Sequence, residues 1–250
     1  MTIDILRSNL EEISHLRNLF LQENNFQIRY NACHERGWTD SYVVIYRGEK
    51  IGYGSIKGNA NASDRDTVFE FYIAPSFRNL SPIAFLELVN ASKAPFIECQ
   101  SNDLLLTSLL YQYGQDINSN VVLFEDHFAS DIKADGVLFR QRDEKDVVFE
   151  HSAEPVGDYV LEANKQVVAT GGFLLHYNMP FADLYMEVEE GHRKKGFGSF
   201  LIQELKRQCY LKGRVPAARC NRDNVASRAT LTKAGFKIAG FMLLGRVQSK

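Results

Sequence analysis

The sequence predicts an α/β fold arranged as two tandem units. Two stretches of the chain repeat the order strand, strand, strand, helix, strand, helix. Apolar residues make up 45% of the 250 residues, enough to bury a core in each half. A polar, linker-like segment at residues 130–136, with Asp131, Lys133, Ala134 and Asp135, lies between the two series and marks the expected boundary of domains 1–132 and 136–250.

The first half opens with a strand at residues 2–7. A helix follows, with Ser8 and Glu11 at capping-box spacing and Leu10, Ile13, Leu16 and Phe20 as one apolar stripe. Residues 10–36 have room for two helices. Residues 42–45 and 51–54 flank a polar turn and read as a hairpin, and residues 159–161 and 168–171 repeat it. Residues 71–78 then lie over residues 186–193, each an apolar strand ending in an irregular segment and an Arg, with a helix after it. Residues 95–100 lie over residues 216–221, each a strand entering another helix. The second half has its own opening strand near residues 136–142. Only residues 143–157 precede its hairpin, which leaves little room for a matching helix pair.

A net charge of -2 gives no general electrostatic reason to bind nucleic acid or an anionic membrane. No apolar run approaches the roughly 20 residues that cross a bilayer, and residues 1–30 lack the pattern of a secretory signal, so a cytoplasmic protein is expected. Cys33, Cys99, Cys209 and Cys220 are far apart, with no CxxC pair and no His at ligand spacing, and read as buried or idle thiols rather than a disulfide frame or metal site.

The chemistry concentrates after residues 184–188, which read as a strand. A helix from about Gly198 or Ser199 carries Leu201, Ile202, Leu205 and Cys209 on one face and stops at Gly213. Between strand and helix stands Arg193-x-x-Gly196-x-Gly198. Glycines there allow a tight turn and close approach, so that successive amides and the positive helix end face an anion, with Arg193, Lys194 and Lys195 adding charge. Taken alone, the pattern also fits a plain strand-to-helix turn beneath a solvated basic patch.

Further on come Asn224-x-x-Ser227 and Lys233-Ala234-Gly235-Phe236. In this order, the two motifs resemble those of the Gcn5-related N-acetyltransferase (GNAT) family. The resemblance covers residues 136–247 well and, through the repeat, residues 1–132 more weakly. It implies two tandem acyl-CoA N-acyltransferase-like units with mixed α+β sheets, the first degenerate and the second binding acetyl-CoA. The Val188 backbone would then hold pantetheine and the acyl carbonyl. The amides of Lys194, Lys195, Gly196, Phe197, Gly198 and Ser199 would bind pyrophosphate, with Arg193 beside them; Asn224 would contact the pantetheine arm, next to Ser227. In the first half the loop runs Arg78-Asn79-Leu80-Ser81-Pro82-Ile83. Ser81 and Ile83 replace the glycines and Pro82 removes a donor, which blocks close phosphate approach.

The implied activity is transfer of an acetyl group from acetyl-CoA to a primary amine, of a small molecule or a peptide, by direct attack. An attacking amine must lose a proton, and Asp183 is the first candidate base with Glu187 second. Family members often carry a Tyr seven residues after the Asn to protonate the leaving sulfur. Here that position is Leu231, which leaves Tyr185 or other donors for the role, and Arg219 stands where some relatives have a base carboxylate. His176 and Tyr177 are candidate acceptor-pocket residues, and Glu187, Glu189 and Glu190 form an acidic cluster that also fits a solvated strand end. A catalytically silent acyl-CoA-binding sensor or partner protein is the alternative, and a purely structural duplication a third. A homodimer is compatible with all of them.

Overall fold

The computed structural model describes residues 2–27 and 31–248. In chain order the first series is β1 (Ile3–Ser8), α1 (Leu10–Glu23), α2 (Asn31–Glu35), β2 (Thr39–Tyr46), β3 (Glu49–Lys57), β4 (Thr67–Ile73), α3 (Ser81–Ser92), β5 (Phe96–Gln100), α4 (Leu104–Tyr113) and β6 (Gly114–Asp126). The second is β7 (Val137–Gln141), β8 (Tyr159–Ala163), β9 (Gln166–Leu174), β10 (Phe181–Val188), α5 (Phe197–Leu211), β11 (Val215–Asn221), α6 (Val225–Lys233) and β12 (Phe236–Val247). The predicted repeat is therefore present, each round closing on a strand that the sequence reading omitted.

Two compact units form, one from residues 2–26, 31–120 and 240–248, the other from Gln27 and residues 121–239. This division differs from the boundary expected at residues 130–136. The cause is backbone pairing: residues 242–246 of β12 are antiparallel to β5, so the end of the chain completes the first unit. Residues 121–125 of β6 are antiparallel to β11 and belong to the second.

Within the first unit the strand order is β1-β2-β3-β4-β5-β12, and within the second β6-β11-β10-β9-β8-β7. One neighbouring pair in each unit is parallel, β4 with β5 and β10 with β11, which makes both sheets mixed. Those pairs are also short. Parallel pairing ends at Val68↔Ile97 in the first unit and at Asp183↔Ala217 in the second, although β4 continues to Ile73 and β10 to Val188. Beyond those points the strands part.

The apolar pattern decides what each helix covers. Ile13, Leu16 and Phe20 of α1 are buried with Phe26, Val43, Tyr53 and Tyr72, while Leu10 of the expected stripe is exposed. The α1 cap lies one residue later than expected: Asn9 Oδ1 accepts the Glu12 amide at 3.0 Å, and Ser8 Oγ donates to Glu12 Oε2 at 2.6 Å. In the second unit Leu201, Ile202, Leu205 and Cys209 of α5 are buried with Leu161, Ala182 and Leu184. Residues 143–157 contain no helix. No described helix is long and apolar enough to cross a membrane.

Candidate active site

The parting of β10 from β11 opens a cleft of about 530 Å³. Met186, Glu187 and Val188 of β10 line it, together with His192, Arg193, Lys194 and Gly196 to Ser199 of the loop and helix start. Asn224, Ser227 and Thr230 close it from α6, and Ser152, Ala153 and Glu154 from the helix-free segment. Of the twelve residues expected to be the base or to bind the cofactor, Lys195 and Asp183 are not on this lining and the other ten are; His176, Tyr177, Tyr185, Glu189 and Glu190 are not on it either.

The loop has the backbone its residues permit. Gly196 sits at φ +84° as N-cap of α5, a conformation costly for a residue with a Cβ, and it has no side chain to occupy the helix start. Helix α5 begins at Phe197, one or two residues before the expected start, so its first amides lack intrahelical acceptors and open toward the cleft. A Cβ on Gly198 would lie 3.2 Å from Thr230 Cγ2 and 3.3 Å from Met186 Cε, which explains the small residue there. Ser199 is buried, and its Oγ donates to the Thr230 carbonyl at 3.2 Å, tying α5 to α6.

Other side chains have partners that sequence does not reveal. Arg193 Nε donates to the Val188 carbonyl at 3.1 Å, bracing the loop on the strand end. His192 Nδ1 lies 2.5 Å from Glu189 Oε2, and its ring stacks on Phe197. Asn224 Oδ1 caps α6 by accepting the Ser227 amide at 2.9 Å, which leaves both Nδ2 protons for a ligand. Leu231 is 3% exposed and belongs to the core, and no phenol reaches the cleft from that position.

The carboxylates separate sharply. Glu187 Oε1 accepts from the Ser152 amide at 3.0 Å and the Ser152 hydroxyl at 2.8 Å; Oε2 accepts from the amides of Ala153 at 3.1 Å and Glu154 at 3.0 Å. Burial favours its neutral form, but these four bonds prevail and hold the carboxyl at about 2. It is a fixed anion with its acceptor capacity in use. Asp183 is 5% exposed, and Arg219 Nε donates to its Oδ2 at 3.1 Å. Burial pushes its carboxyl up to about 7 against the opposing pull of Arg219 and the Tyr177 hydroxyl, while Glu154 pushes the same way as burial. Arg219 Nη2 also donates to Tyr177 Oη at 2.7 Å. Glu154, absent from the sequence reading, lines the cleft; partial burial raises its carboxyl, Arg219 lowers it and Glu187 raises it.

The corresponding loop of the first unit is built differently. The Ser81 amide donates to the Arg78 carbonyl, and Pro82 offers no N–H. Arg78 Nη2 donates to Glu23 Oε2 at 2.6 Å, and Tyr72 Oη donates to Glu23 Oε1 at 2.5 Å. The helix start is thereby closed by the unit's own groups.

Residues 123–236 match the family model described as acetyltransferase (GNAT) family. A search of curated protein sequences finds no significant match. Among solved structures, a GNAT-family acetyltransferase from Colwellia psychrerythraea is similar with a TM-score of 0.76 at 13% identity, over 99% of this chain and 100% of its own. A GCN5-related N-acetyltransferase from Sphaerobacter thermophilus has a TM-score of 0.60 at 12% identity, covering 98% and 95%. A tandem GNAT protein from the clavulanic acid biosynthesis pathway has a TM-score of 0.59 at 11% identity and covers both chains fully, 100% of each. At these identities the likeness is one of fold.

Proposed function

We propose that this chain, whose residues 123–236 match the acetyltransferase (GNAT) family model, is an N-acetyltransferase of that family using acetyl-CoA. The acceptor is a primary amine of a small molecule or peptide, attacking directly. The observation that carries this reading is one continuous cleft, running from the uncapped start of α5 to the parting of β10 and β11. The glycine N-cap, the open amides and the cations Arg193 and Lys194 suit a diphosphate, which needs close backbone approach and positive charge.

Bound acetyl-CoA supplies the electrophile, a thioester carbonyl. Residues 194–199 hold its diphosphate by their amides, and Asn224 Nδ2 with Ser227 holds the pantetheine arm. The Val188 carbonyl, which holds Arg193 Nε through one lone pair, would accept a ligand amide through the other at the strand end. The domains follow from the same comparison of loops: the second unit binds the cofactor, and the first, whose helix start is closed by Ser81, Pro82 and Arg78, does not.

Titration calorimetry with acetyl-CoA tests the reading. The intact protein is expected to bind one equivalent, and Gly196→Glu, which puts a bulky anion into the loop, to weaken binding by about 100-fold or more. Wild-type protein giving the same empty trace as Gly196→Glu would remove the proposal. Thiol release from acetyl-CoA with a panel of primary amines separates an enzyme from a silent acyl-CoA-binding protein.

A further inference from the structure

We infer that Glu154, held over the cleft by the clamp that Glu187 places on residues 152–154, is the group that takes the proton from the attacking amine. The inference rests on the acetyltransferase reading above and names the base within it.

Three carboxylates lie near the parting of the strands, and geometry sorts them. Glu187 already accepts four hydrogen bonds, two at each oxygen, and has no capacity to take a proton from a fifth donor without releasing the segment it holds. Asp183 is buried off the cleft lining, with Oδ2 on Arg219. Glu154 is on the same lining as the loop that would hold the diphosphate, and its residue is exposed to solvent. Its amide is fixed 3.0 Å from Glu187 Oε2, so the main chain that carries it is pinned to β10 one residue before Val188. A base on a helix-free segment needs such an anchor, since a misplacement of about 1 Å costs much of the rate.

The surroundings raise the Glu154 carboxyl above the ordinary range, partial burial contributing most. From β10, Glu187 raises the Glu154 carboxyl, and both Asp183 and Tyr185 feel its charge; from β11, Arg219 opposes them. His192, Arg193 and Lys194 line the same cleft. In the step itself the nitrogen of a neutral amine bonds to the thioester carbon, the C–S bond breaks and the thiolate leaves with the bonding pair. The extra proton on nitrogen passes to Glu154 and from there to solvent. An anionic wall at that point also selects acceptors that arrive as cations; such an ammonium first gives one proton to Glu154, which passes it to solvent, and the neutral amine then attacks as above.

The test uses the full chain, acetyl-CoA and the amine panel. Glu154→Gln is expected to bind acetyl-CoA within about twofold of wild type and to lose about 100-fold or more in kcat. Its pH–rate profile should lose the acid limb, which in wild type lies above the ordinary carboxylate range. Asp183→Asn, by contrast, should keep that limb. Glu154→Gln turning over at the wild-type rate, or with the acid limb unchanged, overturns the inference and leaves the acetyltransferase reading standing. Wild type that binds acetyl-CoA yet releases no thiol with any amine overturns the inference and the acetyltransferase activity together, leaving a binding protein; wild type that binds no acetyl-CoA removes the cofactor reading as well.

Discussion

Each unit buries a carboxylate on the strand that parts from its parallel neighbour, and on β10 Asp183 is joined by the less deeply buried Glu187. In the first, Glu70 receives Arg17 Nε and Nη2 at 2.9 Å each, Tyr53 Oη at 3.0 Å and His34 Nε2 at 3.2 Å. In the second, Asp183 has Arg219 and Tyr177, and its Oδ1 meets no donor among the described residues. Both groups pay heavily in desolvation, yet they shift in opposite directions. Burial alone would raise Glu70, but Arg17 and His34 hold it well below the ordinary range; Asp183 rises to about 7. Donor number and geometry, more than depth, decide whether a buried acid stays ionised. The well-supplied site is in the unit whose loop is closed, and the under-supplied one lies beside the open cleft.

The largest effect should come from removing the cations. Arg17→Ala leaves an ionised Glu70 fully buried and is expected to cost about 3–5 kcal/mol in urea unfolding. Arg219→Ala should cost less than about half of that, because Asp183 can become neutral; equal losses would break the comparison. Next is pH dependence. Asp183, raised on folding, contributes stability that is complete below the unfolded value of about 4 and fades as pH rises through about 7. Glu70, depressed on folding, contributes stability that is complete above about 4.5 and is lost as acid carries pH down toward its folded value. Asp183→Asn should therefore flatten the decline in urea midpoint between pH 4 and 7, and Glu70→Gln the fall on the acid side. The smallest effect concerns helix caps. Asp103 Oδ1 accepts the Leu106 amide at 3.0 Å at the start of α4, as Asn224 does at α6. Asp103→Ala and Asn224→Ala should each cost about 1 kcal/mol, and only Asn224→Ala should also weaken acetyl-CoA binding in calorimetry.

That pair shows how much could be read from residues alone. Asn224 carries two signals at once, a cap and a resemblance, and the cap alone accounts for a polar residue at that place in both units. The hairpins were legible because polar turns flank β-rich runs, and the loop because Gly196 answers a backbone demand that few residues meet. Strands β6 and β12 were missed. Residues 115–120 are mostly polar, and which strand each would pair with depends on backbone groups far away in the chain. Glu154 was invisible for a similar reason: in residues 143–157 it looks like any solvated Glu, and its placement follows from the lone pairs of Glu187, 33 residues later. Asp183 and Glu187 look alike on one strand, and only their donors tell them apart.

The strand at residues 242–246 has a consequence for biosynthesis. A ribosome completes the second unit's sequence at residue 239, whereas the edge of β5 stays bare until residues 240–247 have emerged. The unit begun first is thus finished last, with an exposed strand edge of the kind that recruits other chains in the interval. A fragment cut after residue 132 would keep that edge permanently and should aggregate, whereas supplying residues 240–248 as a fused strand should rescue its solubility.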